Sequence, residues 1–257
     1  MDPLYFTAHN IRLDDGRVTM PNAGQMTMET HPNFISARNV LNLVYPGDKK
    51  GLRIVDLGCL EGGYAVEFAR MGFESLGIEA RLSNFECCDF VKQNVDLPNL
   101  MFARDNVLNI GKYGMFDAAY CGGLLYHLDK PKGFLQQLAS QTRRVIILDT
   151  HFSLNNVISS DFSLTSVTVN EGLPGRWYQE FLPETQQEKI DEFRWSAFHN
   201  ASSFWPQREY LIELIYNLGF DMVFEQFDQY SPSIALNLKD GYEKFLRGTF
   251  VGIRNAK

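Results

Sequence analysis

The sequence predicts an α/β protein, a mostly parallel sheet of seven strands with helices on both faces. Two observations carry this expectation. Short apolar runs alternate with amphipathic stretches along the chain, the pattern of parallel strands joined by crossover helices. The run Val55-Asp56-Leu57-Gly58-Cys59-Leu60-Glu61-Gly62-Gly63 takes a strand through a glycine-rich turn and leaves as a helix. Strands are expected near 53–58, 75–79, 99–104, 116–121, 144–150, 220–228 and 246–254, and helices near 62–72, 83–95, 130–142 and 206–218. The last two strands are expected to pair as a hairpin.

Each element has a local reason. Arg53-Ile54-Val55 reads as a short buried strand, and Tyr64-Ala65-Val66-Glu67-Phe68-Ala69-Arg70-Met71 places its apolar residues on one helix face. Glycine between them lets a ligand approach the backbone, and the helix start offers free N–H groups. A nucleotide-like ligand fits such a turn. The G-x-G-x-x-G spacing of dinucleotide sites is missing, which disfavours a nicotinamide dehydrogenase. The second strand ends in Glu79, 23 residues after Asp56, where a carboxylate matches two ribose hydroxyls. The third, Leu100-Met101-Phe102-Ala103-Arg104, leads to Asp105-Asn106. An Asx-type turn is one role for that pair. The fourth, Phe116-Asp117-Ala118-Ala119-Tyr120-Cys121, runs into Gly122-Gly123-Leu124-Leu125-Tyr126-His127-Leu128.

These landmarks, in this order over roughly residues 50 to 152, resemble the class I S-adenosylmethionine (SAM)-dependent methyltransferases. The first motif of that family is an acid followed by G-x-G-x-G. The chain keeps Asp56, Gly58 and Gly62, and carries Leu60 at the middle glycine. The segment after strand four is similar to the version reading G-x-L-Y-H. That version occurs in small-molecule and glycan methyltransferases, and in the enzyme that carboxymethylates the wobble uridine of transfer RNA. The resemblance implies a Rossmann-like sheet with an antiparallel last strand, SAM as cofactor and S-adenosylhomocysteine (SAH) as product. It implies cofactor contacts from Asp56, Gly58, Cys59, Gly62, Glu79, Ala80, Asp105, Asn106, Cys121 and Gly122. Asp105 would accept a hydrogen bond from the adenine amino group, with a neighbouring backbone N–H serving the ring.

Length and composition bound the rest. At 257 residues, 45% hydrophobic and 21% charged, the chain suits one globular domain with an insertion. It has no run of eighteen apolar residues, so no membrane span is expected. Its first residues lack the basic and apolar regions of a secretory signal. Cys59, Cys87, Cys88 and Cys121 form no C-x-x-C, and read as reduced core residues of a cytoplasmic protein. A metal site is not expected. Net charge is −7 and the pI about 5.3. The basic pairs Lys49-Lys50 and Arg143-Arg144 read as solvated ends, so a nucleic-acid partner is disfavoured.

Four segments follow from this reading. Residues 1–50, with Phe34-Ile35, Val40-Leu41 and Val44-Tyr45 at helical spacing, form a helical lid expected to pack over the cofactor cleft. Residues 51–152 form the cofactor-binding core. Residues 153–205, rich in aromatics, form an inserted substrate cap, because a loop this long in a compact domain usually serves function. Residues 206–257 complete the sheet.

Methyl transfer from a sulfonium needs a positioned acceptor, exclusion of water and, for a poorly acidic acceptor, removal of a proton. Candidates for the last task come from strand ends and the cap. His151 ends strand five, and Asp149, two residues earlier, faces the same side. The two could form a base with an orienting carboxylate, hold a metal, or serve structure alone. His127 follows strand four and is either catalytic or a structural hydrogen-bonding group. His199 in the cap is a further base. Tyr126, Arg176, Trp177, Trp195 and Trp205 are substrate candidates, since tryptophan faces suit sugar rings and planar heterocycles and a guanidinium suits carboxylate or phosphate. The alternative role of these aromatics is a hydrophobic core for the cap itself. The expected function is transfer of a methyl group from SAM to an oxygen or nitrogen of a small molecule or saccharide. The competing readings are a transfer-RNA wobble-base modifier and a SAM-binding domain without catalysis.

Overall fold

An interior strand of the sheet, β1 (Arg53–Leu57), has Ile54, Val55 and Leu57 fully buried. A strand covered on both faces has no need of alternating polar residues. The computed structural model describes residues 4–21, 24, 26–156, 162–240 and 242–255. In chain order the elements are α1 (Pro32–Val44), β1, α2 (Gly63–Arg70), β2 (Glu74–Glu79), α3 (Leu82–Gln93), β3 (Leu100–Arg104), β4 (Phe116–Gly122), α4 (Pro131–Gln141) and β5 (Thr142–His151). Then come β6 (Thr168–Asn170), β7 (Leu173–Gln179), α5 (Gln187–Glu192), β8 (Ser202–Pro206), α6 (Arg208–Asn217), β9 (Met222–Gln226), α7 (Ile234–Asp240), α8 (Tyr242–Phe245) and β10 (Arg247–Ile253). The seven expected strands lie within two residues of their expected bounds.

The large sheet has the order β3-β2-β1-β4-β5-β10-β9. The strands β1 to β5 run parallel, β10 runs antiparallel to β5, and β9 pairs antiparallel with β10. The last two strands therefore pair as expected, although α7 and α8 join them instead of a turn. The chain moves outward from β1 to β3, then returns to place β4 on the other side of β1. The turns leaving β1 and β4 consequently diverge, and a crevice opens beyond the strand ends.

Two apolar layers cover the sheet. One packs Phe134 and Leu138 of α4 and Leu211 and Ile215 of α6 against Ile146, Leu148 and Phe250. The other packs Phe34, Ala37 and Leu41 of α1 with Phe68 of α2 against Ile54, Ala118 and Val145. Thus α1 is a layer of the core and not a lid. A stripe of four buried apolar residues pays better against the sheet than over a polar crevice. Among the described residues before β1, Ala8 and His9 of the preceding extended segment line the crevice.

The region after β5 builds a second, antiparallel sheet, β6-β7-β8, with Arg176 paired to Trp205 and Tyr178 to Ser203. Its strand β8 is anchored to the core: Phe204 and Trp205 are fully buried, and the Phe204 N–H donates to the Leu128 carbonyl at 2.9 Å. No described helix is long and apolar enough to cross a membrane.

Glu61 fastens the N-terminal segment to the β1–α2 turn. Its fully buried carboxylate accepts from the backbone N–H groups of Thr7, Ala8 and His9 and from the Thr7 hydroxyl. Charge-assisted bonds of this kind are among the stronger ones. Replacing Glu61 with Ala should cost about 1–3 kcal/mol in urea unfolding and expose residues 5–9 to protease. An unchanged midpoint with an unchanged cleavage pattern would show that the strap is held by other contacts.

Candidate functional site

The crevice begins at the turn after β1. Asp56 is buried there, and its carboxylate accepts the Ala65 N–H of α2 at 3.1 Å. Burial pushes its pKa up to about 8, since a charge away from water is disfavoured. Gly58 follows with φ of +66°. Leu60 stands where the resembled motif has its middle glycine, and it adopts the same left-handed region, φ +52°. That conformation costs a non-glycine residue roughly 1–2 kcal/mol. Glu79 helps to hold it, accepting the Leu60 N–H at 3.0 Å with one oxygen. The other oxygen accepts the Arg81 N–H at 2.8 Å. Burial raises the Glu79 pKa. Each oxygen retains a further lone-pair direction for a hydroxyl donor.

A cavity of about 870 Å³ lies between these turns and the inserted stretch from Arg194 to Asn200. Of the residues singled out by sequence, Asp56, Gly58, Cys59, Glu79, Ala80, Asn106 and Gly122 line it on the core side. Tyr126, His127 and Asp149, which follow or end core strands, and Trp195 and His199 of the inserted region also line it. A second cavity, of about 700 Å³, adjoins it and shares Tyr126, His127 and Trp195 with it. His151 and Trp205 belong to this second space.

Five residues fall elsewhere. Gly62 caps α2 with φ of +84°, and a Cβ there would lie 2.5 Å from the Phe102 ring, so its role is close packing. Cys121 is buried within the core. Asp105 does not line the cavity. Its carboxylate accepts from the Asn106 N–H, the Asn109 amide, Lys112 and the Tyr113 hydroxyl. These bonds, the Asn109 one foremost, hold its pKa down at about 2. Asp105 thus serves the turn after β3, as the Asx alternative has it, and the adenine contact expected of it is not available. Asn106 caps the same turn by accepting the Leu108 N–H at 2.9 Å. Arg176 spends its guanidinium on the carbonyls of Leu154, Thr165 and Asn155. Trp177 packs on Phe204. Both belong to the frame of the second sheet and not to either cavity.

The expected pairing of Asp149 with His151 does not form. Asp149 instead accepts from Arg247 at 2.7 Å and from the Asn33 amide at 2.7 Å. Arg247 sits opposite His151 on β10, which brings its guanidinium across to Asp149. The His151 Nδ1 lies 2.9 Å from the Phe245 carbonyl, so that nitrogen carries the proton. Its ring stacks on Trp205 at 4.6 Å and 9°. Burial lowers its pKa to about 4, with the Arg247 charge adding to the effect. His151 is therefore a neutral, aromatic wall. No described group of three or more His, Cys, Asp or Glu side chains could hold a metal.

Sequence reasoning missed His9, Glu180 and Arg247. The His9 Nδ1 accepts the Gly63 N–H at 3.0 Å and so caps α2 from the N-terminal strap. Burial lowers its pKa to about 4. Glu180 is buried beside His127, whose Nδ1 lies 2.8 Å from its Oε1. Arg81 and Arg194 tie the inserted region to α3, through the Ile190 carbonyl and the Asn84 amide oxygen respectively. Only Glu61, already inside the glycine-rich run, sat where a sequence signal pointed.

Known proteins share this fold. No family model matches the chain. A transfer-RNA U34 carboxymethyltransferase of Campylobacter hominis is 29% identical over 116 residues, which is 43% of this chain and 40% of that protein. The N-terminal domain of EvdMO1, solved with SAH and D-fucose, has a TM-score of 0.63 at 23% identity and covers 88% of this chain and 84% of its own. Magnesium protoporphyrin IX methyltransferase from Synechocystis, solved with SAH, has a TM-score of 0.53 at 15% identity over 92% of this chain and 90% of its own. The 1,6-didemethyltoxoflavin-N1-methyltransferase of Burkholderia thailandensis, also with SAH, has a TM-score of 0.53 at 12% identity over 89% of this chain and 80% of its own. The chain has the fold of class I SAM-dependent methyltransferases.

The Asp56 environment has a pH signature. Its folded pKa is raised, so its contribution to stability is full below the ordinary carboxylate range and is lost as pH rises toward about 8. Asp56→Asn removes this loss. The variant should gain stability relative to the parent between pH 4.5 and pH 8, read from urea midpoints at the two values. A difference that stays constant with pH would mean that Asp56 is ionised in the folded chain.

Proposed function

We propose that the chain is a SAM-dependent methyltransferase acting on an oxygen or nitrogen of a small molecule or saccharide. The observation that carries this reading is the inward-facing Glu79 carboxylate in a glycine-lined crevice that opens onto a second, aromatic cavity. The donor and acceptor chemistry fits an adenosyl group. Glu79 keeps one lone-pair direction on each oxygen for the ribose hydroxyls. Val107 and Leu108 offer apolar contact for the adenine, beside Asn106. Gly58 and Gly122 line the crevice where the amino-acid end would lie, and a Cβ there would press on Leu124 or Tyr120.

SAM, when bound, supplies an electrophilic methyl group. The protein's share is orientation and exclusion of water. The strap around Ala8 and His9 and the segment from Arg194 to Asn200 close over the cavity. Tyr126 and His127 stand where the two cavities meet, which puts an acceptor next to the cofactor. On this reading the inserted segment, residues 153–205, serves as the substrate cap. A cytoplasmic location agrees with four buried, unpaired cysteines. The match to a transfer-RNA modifier keeps a nucleic-acid acceptor in view, but the net charge of −7 works against it.

Isothermal titration with SAM, SAH and NAD tests the reading. Micromolar binding of the two adenosyl compounds and none of NAD is the expected result. Glu79→Ala should weaken SAH binding on the order of 10–100-fold, the loss of two bonds to a charged group. Equal affinity in that variant, or binding of NAD alone, would remove the assignment.

A further inference from the structure

We propose that His127 and Glu180 form the base dyad of this site, and that they take a proton from a hydroxyl of an uncharged ring seated in the second cavity. The inference rests on the methyltransferase reading above and extends it.

The argument starts with the five histidines. His9 has committed its Nδ1 lone pair to the Gly63 N–H. His151 points Nδ1 at backbone carbonyls and is clamped between aromatic rings. His31 lies against Tyr64 and lines neither cavity. His199 makes a ring contact with Phe198 and no hydrogen bond to a described carboxylate. His127 alone pairs with an acid and lines both cavities.

The pair has the chemistry of an oriented base. A carboxylate only accepts, so the His127 Nδ1 carries the proton, and Nε2 is left with a lone pair. Nε2 has no hydrogen-bond partner among the described residues. Glu180 is 3% exposed in its side chain and held from two further sides, by the Ser203 hydroxyl and by the Ala197 N–H at 3.2 Å. The Asn200 amide donates to the His127 carbonyl at 3.0 Å and fixes the turn beneath the ring. The acid and its supports come from the inserted region, while the base comes from the core. The cap thereby completes the site it covers.

The second cavity names the acceptor class. His151, Tyr178 and Trp205 stack face to face along one wall, and Phe162 meets Trp205 edge-on at 5.0 Å. Trp205 is 1% exposed and stacked against His151 and Tyr178, so the half-buried Tyr126, Phe162 and Tyr178 supply the apolar surface that takes a ring. The cation of this cavity, Arg194, is committed: its guanidinium donates to Asn84 and to the carbonyls of Ser83 and Tyr5. It is not free to bind a phosphate or carboxylate. An amine acceptor can carry its own lone pair, whereas a hydroxyl needs a base.

In the transfer, Nε2 takes the hydroxyl proton and the oxygen lone pair forms the new C–O bond to the methyl carbon. The S–C bond breaks and its electron pair remains on sulfur, leaving a neutral thioether. The imidazolium formed at His127 is paired with the Glu180 carboxylate and returns its proton to water after product leaves. His127 is the catalytic residue, and Glu180 is a positioning residue.

The test uses the full chain, methyl-labelled SAM and a panel of free deoxyhexoses and mono- and dihydric phenols, with phosphorylated and carboxylated counterparts as charged controls. SAH titration on the same preparations reports cofactor binding independently. The expected result is label transfer to neutral ring hydroxyls. His127→Ala should lower kcat about 10²–10⁴-fold with SAH affinity unchanged, and imidazole in the buffer should restore part of it. Glu180→Gln should lower kcat about 10–100-fold with little change in KM, because the imidazolium loses the negative charge paired with it. Full turnover in His127→Ala, a lowered rate that imidazole leaves unmoved, preference for the charged controls, or no transfer to any neutral hydroxyl by a parent that binds SAH would each overturn the dyad. A parent that fails to bind SAH would defeat the methyltransferase reading itself.

Discussion

The carboxylate of Glu79 ties together the two turns on which the crevice depends. One oxygen holds the Leu60 N–H of the turn after β1, and the other holds the Arg81 N–H of the turn after β2. An acid with so little access to water is an expensive group to place at a strand end. Its backbone donors offset part of that expense and keep Leu60 in a left-handed conformation that a leucine does not choose freely. The same bonds set the direction from which the remaining lone pairs face the cavity. One side chain thus fixes both turns and the direction of the lone pairs that face the cavity.

From that clamp the rest of the site is assembled in layers. Arg81 extends from the Glu79-bound N–H to the carbonyls of Ile190 and Ala197, carrying the inserted region onto α3. Arg194 reaches back from the inserted region to Asn84 and to the Tyr5 carbonyl, binding cap and N-terminal strap to the same helix. Glu61 fastens the strap from beneath. The cavity is thus walled by three separate stretches of chain, each held by a buried or half-buried ionic group donating to or accepting from backbone. Such contacts exclude water while leaving the apolar surfaces for the ligand.

Much of this was legible in the sequence, for physical reasons. Buried parallel strands write themselves as apolar runs, so all seven strand positions could be read. The glycine turn and the spacing to Glu79 reflect a local geometry that one chain segment must satisfy. Leu60 shows how a departure from the resembled motif can be absorbed, since the backbone keeps the glycine conformation without the glycine. Other residues were misjudged where local and distant demands compete. Asp105 has an amide, an ammonium and a phenol within eight residues, and these satisfy it before a ligand can. Arg176 is drawn to loop carbonyls that no periodicity reveals. Asp149 prefers Arg247 across the sheet to His151 along the strand, because the reversed β10 brings a cation beside it. Glu180 meets His127 across 53 residues of chain, and only the folded cap brings them together.

The most direct test of the account is a crystal structure of the chain with SAH. The account places the ribose hydroxyls on the Glu79 carboxylate, the adenine beside Asn106 to Leu108 with Asp105 still bound to its own turn, and the sulfur facing Tyr126 and His127. Density for SAH in another part of the molecule would contradict it. So would a ribose held away from Glu79, or an Asp105 that leaves Asn109 and Tyr113 to bind adenine.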